Sequence, residues 1–132
     1  ENTKAEDAVA LVQMIANTNR MYALDHSNTW TDGALTNACN SVCCSSSAGC
    51  LSAVTSACNL VACKYIPASS FNTMPYDFES SDGSVATTCL GFGGTFSACA
   101  KRKSTAQAPY DAWGYTVSNG GMVTAYGGAP TP

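Results

Sequence analysis

The sequence predicts an α+β fold, with an N-terminal amphipathic helix packed on a C-terminal antiparallel sheet of about four strands, the whole rich in disulfides. Three observations predict it. Apolar residues recur at helical spacing near the N-terminus, eight cysteines crowd the stretch from Cys39 to Cys99, and short extended runs between turn residues fill the C-terminal part. The 132 residues are 45% hydrophobic and 11% charged, which supplies one buried core and argues against disorder. All of 1–132 therefore reads as one domain, with a helix over 1–25, a cysteine-rich region with a short helix over 39–65, and the sheet over 84–127.

The first helix opens on Thr3-Lys4-Ala5-Glu6, which has the form of a capping box. Ala8, Leu11, Val12, Ile15, Asn19 and Tyr22 then fall on one face, so the helix lays an apolar stripe on something flat. From Asp25 to Asn40 the polar composition around Trp30 predicts a loop pinned by one buried aromatic. Leu51, Val54, Ala57, Leu60 and Val61 return to helical spacing and predict a second helix from about Cys50 to Lys64, ended by Pro67. Strands are expected at Ser84–Leu90, Thr95–Lys101, Ala112–Val117 and Met122–Tyr126. Asn119-Gly120 favours a two-residue turn that pairs Val117 with Met122 and Tyr115 with Thr124, and Gly127–Pro132 reads as a frayed tail.

Cys39, Cys43, Cys44, Cys50, Cys58, Cys63, Cys89 and Cys99 make an even number, as four bridges in an oxidising compartment require. No Cys-x2-Cys pair is present, so a zinc site is not expected and no cofactor is implied. Eight cysteines allow 105 connectivities. Adjacent Cys43 and Cys44 should bond to different partners, because a vicinal ring strains the peptide between them. Cys89 and Cys99 flank a Gly-rich turn and are expected to bond to each other. A net charge of −3 gives no global attraction to nucleic acid or anionic lipid. The chain has no apolar run of about 18 residues. A secreted context then implies that a leader or a longer N-terminal hydrophobic segment precedes these residues.

Few residues offer chemistry. His26 is the only histidine and has no Gly-x-Ser-x-Gly elbow beside it, so it reads as a solvated or helix-capping residue, and no catalytic residue is assigned. Asp77, Glu79 and Asp82 sit within Tyr76–Gly83, read as a solvated loop or at best a weak calcium loop. Lys101, Arg102 and Lys103 are half of the six basic residues and form the candidate anion site, weighed against a role guarding an edge strand. Gly91-x-Gly93-Gly94 opens a strand rather than a helix and is no phosphate loop.

The helix from Ala8 to Leu24 and the stretch Pro109-Tyr110-Asp111-Ala112-Trp113-Gly114-Tyr115 resemble the soluble part of a type IV pilin or pseudopilin. The second stretch is similar to the Asp-Pro-Trp-Gly-x-Pro-Tyr segment of major pseudopilins, with Ala112 where the family has proline. The resemblance implies a structural or adhesive subunit of a bacterial cell-surface filament, extracellular and not an enzyme, assembled with other pilin subunits through a hydrophobic N-terminal helix half. It also implies membrane insertion before assembly, and a head that meets host surface, glycan or DNA. Eight cysteines exceed the two usual in pilins and point to a minor or specialised subunit. The alternative is a secreted disulfide-rich enzyme or small-ligand module using Asp77, Glu79 and His26.

Overall fold

Ala8, Val12, Ile15, Asn19 and Tyr22 all become buried along one side of α1 (Asn2–Asp25), as their spacing requires. The computed structural model describes residues 2–50, 53–83, 89, 92, 95–103 and 113–131, with the side chains of the first segment from Ala5 onward. Thr3 lies inside α1 rather than before it, so it is not the cap, and its side chain lies outside the described residues. The chain leaves α1 through Ser27 and Asn28, at φ 55° and 68°, with the Asn28 N–H donating to the Ala23 carbonyl at 2.7 Å. Glycine usually marks such a stop, and here none does.

Among the described residues five strands, one more than expected, form an antiparallel meander: β1 (Gly33–Leu35), β2 (Tyr76–Ser80), β3 (Ala98–Arg102), β4 (Gly114–Val117) and β5 (Val123–Tyr126). They lie side by side in chain order, which puts β3 at the centre. The sheet therefore begins at Gly33, not near 84, and draws on two segments expected to be loops. Trp30 is only half-buried, and it is Thr31 beside it that is wholly inside. The expected strand Ser84–Leu90 lies outside the described residues apart from Cys89, as do Gly93-Gly94 and Pro109–Ala112.

α1 packs across β2, β3 and β4. Tyr76, Phe78, Ala98, Ala100, Tyr115 and Val117 share its core, while the alternate residues Glu79, Cys99 and Thr116 belong to the opposite face. Ala98 and Ala100 present only methyl groups on the central strand, and the large rings crowd beside them. Trp113 meets Tyr76 and Tyr115 edge-on, with centroids 5.6 and 6.1 Å apart. At Gly114 a Cβ would overlap the Ala100 carbonyl and stand 3.0 Å from the Phe92 ring, so the β3–β4 pairing needs glycine there.

The last hairpin slips by one residue from the expected register. Val117 pairs with Val123 and Tyr115 with Ala125, because Asn119, Gly120 and Gly121 make a three-residue turn. Gly121 at φ 92° donates to the Ser118 carbonyl, and the Ser118 and Met122 backbones bond at 2.9 Å. The slip turns Val123 toward the core and leaves Met122 71% exposed. The expected helix Cys50–Lys64 shrinks to α2 (Asn59–Ala62), which lies between Cys58 and Cys63 and ends on Lys64 at φ 69°.

All eight cysteines are bonded: Cys39–Cys58, Cys43–Cys50, Cys44–Cys63 and Cys89–Cys99. Cys43 and Cys44 take different partners, as expected. Three bridges tie the 39–63 segment, which has little sheet or helix of its own, to itself, and it meets α1 through α2 and through the Tyr22 hydroxyl, which donates to the Val54 carbonyl. Asn59, fully buried, assists by donating to the Ala53 carbonyl at 2.7 Å and accepting from the Ser45 N–H at 3.2 Å.

Asn19 joins the layers. Its Nδ2 donates to the carbonyls of Thr31, Ser81 and Ser97 at 3.0–3.3 Å, and its Oδ1 accepts from the N–H and hydroxyl of Thr31, each at 2.8 Å. The Ser80 hydroxyl in turn donates to Thr31 Oγ1 at 2.8 Å, because the single Thr31 hydroxyl hydrogen is spent on Asn19. Asn19→Leu keeps the volume and removes every bond that Asn19 makes. At about 1–3 kcal/mol for each buried group deprived of a partner, it should cost more than about 3 kcal/mol in denaturant unfolding. A variant as stable as the parent would remove Asn19 from this role.

Candidate functional site

Lys101 and Arg102 end the central strand β3 and Lys103 follows it, so the edge-guard reading fails on topology. Alternation sends its members apart. Lys101 lies opposite Asp77 on the face away from α1, with Nζ 5.9 Å from the Phe92 ring centroid. Arg102 packs its guanidinium 5.9 Å from the Tyr76 ring and donates through Nη1 to the carbonyls of Pro75 and Lys103 at 3.2 and 3.3 Å. Lys103 donates through Nζ to the Asn72 carbonyl at 3.1 Å and through its backbone to Pro75. Sequence adjacency makes the three look convergent, whereas a strand turns neighbours to opposite faces. Arg102 and Lys103 instead tie the end of β3 to the approach to β2.

Asp77 and Glu79 belong to β2 rather than to a solvated loop. Tyr76 and Phe78 alternate with them and fill the core, which pairs the strand with both β1 and β3. Asp77 is exposed, but Glu79 is 5% exposed, cross-strand from Cys99. Its carboxylate and the sulfurs of Cys89 and Cys99 lie within 4.8 Å of one another. Both sulfurs are spent in a disulfide, and a metal would need thiolates, so these three do not form a metal centre as they stand. Asp32, unremarked in the sequence, completes an acidic corner with Glu79 and Asp82. Its pKa is raised by burial first and then by the charges of Asp82 and Glu79, with the Asp82 backbone N–H acting the other way.

His26 stands apart from these carboxylates. Its ring stacks on Tyr22 at 3.8 Å, and Nδ1 hydrogen-bonds the Tyr22 carbonyl at 2.8 Å, capping the last turn of α1. Tyr65 closes the group, edge-on to Tyr22 at 5.4 Å, and donates its hydroxyl to Asp25 Oδ2 at 2.6 Å. Tyr22 donates to the Val54 carbonyl at 2.7 Å. The ends of α1 and α2 meet here, both stopped by left-handed residues that are not glycine, which is why sequence reading saw only a lone histidine. Removal from water and the Asp25 carboxylate push the Tyr65 hydroxyl up to about 12.

Among the described residues, a larger and a smaller cleft open beside α1. The larger, about 420 Å³, lies between its first turns and the C-terminal tail, lined by Ala5, Glu6, Val9, Tyr115, Gly128 and Pro130 among others. Tyr115 donates to the Pro130 carbonyl at 2.6 Å, which pins the tail expected to fray. The smaller, about 180 Å³, is lined by Asp7, Thr73, Met74, Pro75 and Tyr76. No helix among the described residues is long and apolar enough to cross a membrane. No protein family, curated protein or solved structure matches the chain.

Two measurements check these placements. Arg102→Ala should cost about 1–2 kcal/mol of stability, from charge-assisted bonds to carbonyls, and Lys101→Ala under about 0.5 kcal/mol. Equal costs would contradict the difference in their surroundings. Tyr65 should titrate near pH 12 by ultraviolet difference against Tyr65→Phe, and Asp25→Asn should lower that value toward 10. Because the folded pKa is the higher one, this contribution to stability is complete below about pH 10 and is lost as pH rises through 12. A midpoint unmoved by Asp25→Asn would sever the link.

Proposed function

We propose that this chain is the head of a type IV pilin-like subunit of a bacterial cell-surface filament, with a structural or adhesive role. The observation that carries this reading is the placement of α1, a 24-residue helix lying across an antiparallel meander with one stripe buried in it. Trp113-Gly114-Tyr115 supports it further. Each of the three has a defined task, the two rings in the core and the glycine at the β3–β4 contact. In this reading the bridged 39–63 segment is an elaborated surface on the head, resistant to shear and proteolysis because three crosslinks hold it. Partners are other subunits, and through the head a host surface, a glycan or DNA.

A secreted small-ligand module is the second reading, favoured by the 420 Å³ cleft, whose volume lies in the range of small-molecule sites. One experiment separates the two. Antibodies against the head, applied to intact cells that express the native gene, should decorate surface filaments and lose their target when the gene is deleted. Protein found only free in the medium, with filaments undecorated, would overturn the filament reading.

A further inference from the structure

The solvent side of α1 carries apolar residues along its centre, interrupted by a single amide. Ala10, Met14, Asn17, Met21 and Leu24 are all exposed, with Met14 43%, Met21 55% and Leu24 73% open to solvent. Their spacing of four, three, four and three is that of a seam between paired helices, not of scattered surface residues. The seam runs for about 21 Å at 1.5 Å per residue. Met14 and Met21 hold one core position of the repeat, and Ala10, Asn17 and Leu24 hold the other. The residues between them, among them Val12, Ile15 and Asn19, are buried against the sheet, so the helix offers apolar side chains on two opposite sides.

The amide and the flanking charges say what fits there. In two parallel helices in register, each core residue meets its own copy, so Asn17 meets Asn17 and the two amides can hydrogen-bond each other. Antiparallel pairing sets that amide against a methionine, and a parallel pairing shifted by one repeat sets it against Ala10 or Leu24, so in either it loses water and gains no partner. Arg20 lies on one border of the seam and Asp25 on the other, both exposed, and they stand five residues apart. That is the offset at which, in the same parallel register, the border of one helix meets the opposite border of its neighbour. Each Arg20 then faces the second copy's Asp25, giving two ion pairs for each pair of helices. Antiparallel pairing sets like borders together and places Arg20 near Gln13, with no such match.

We propose that this face is the docking surface for α1 of a second copy of the same chain, the two helices parallel and in register. A single helical seam falls short of the roughly 800 Å² per partner of a standard interface. Two free chains therefore associate weakly, and the two-fold contact closes at two copies.

The proposal rests on the seam and not on the filament reading, and its test uses the oxidised chain alone. In sedimentation equilibrium at concentrations up to about millimolar, the weight-average mass should climb toward twice the monomer value. Met21→Glu should hold the chain monomeric throughout without lowering its melting temperature, because the side chain is exposed. Arg20→Glu should weaken association about tenfold, and adding Asp25→Lys to it should restore most of the loss. A chain that stays monomeric at every concentration overturns the proposal, and so does a Met21→Glu variant that still pairs. An Arg20→Glu variant that pairs as well as the parent overturns the parallel register. Undecorated filaments would leave these outcomes untouched.

Discussion

The rotation of α1 about its own axis depends on one amide. Asn19 is fully buried, and its Oδ1 must face the Thr31 N–H while its Nδ2 faces three carbonyls from separate segments. Apolar neighbours such as Val12 and Ile15 tolerate small turns of the helix, since dispersion has little direction. An amide with directed partners on both its atoms does not. With Asn19 held in place, the residues four and seven positions earlier must face the sheet, and Met14, Asn17 and Met21 must face outward. Two asparagines two residues apart thus take opposite fates, and the buried one decides which stripe is core and which is left for a partner.

The cysteine-rich segment is organised by different means. It contributes few large apolar residues, so covalent bonds and directed hydrogen bonds stand in for a core of its own. A crosslink closing a loop of about 15 residues stabilises by roughly 3 kcal/mol through the unfolded chain. Two of the bridges, Cys39–Cys58 and Cys44–Cys63, close loops of similar length and fall at the two ends of α2. A four-residue helix would not persist unaided, because nucleation is costly. Here the staples, the Asn59 amide and the left-handed stop at Lys64 together hold its one turn.

Charge on this protein is sparse, and several charged groups are committed within the fold. Arg102 and Lys103 spend their donors on carbonyls near Pro75 and Asn72, and Asp25 accepts from Tyr65. Glu79 is buried beside a disulfide, in an acidic corner that raises the pKa of Asp32. A surface so arranged has little long-range field, and recognition through it rests on shape and apolar contact more than on electrostatic steering.

Composition and periodicity alone determined the α+β class, the buried stripe of α1, the oxidised state of the cysteines and the separate partners of Cys43 and Cys44. These follow from short-range properties: a helix repeats every 3.6 residues, and a vicinal ring strains its peptide. The hidden strand at Tyr76–Ser80, the one-residue slip that exposes Met122, the scattering of Lys101, Arg102 and Lys103, and the helix stops at Ser27 and Lys64 were decided only in three dimensions. Asp77 and Glu79 look like loop residues until Phe78 is seen between two strands, and a left-handed stop without glycine leaves no mark in the chain. The physical reason is common to all of them. Pairing register and helix rotation are set by contacts between residues far apart in sequence, such as Asn19 with Ser97, and no local pattern encodes where along the chain such a contact will find its partner.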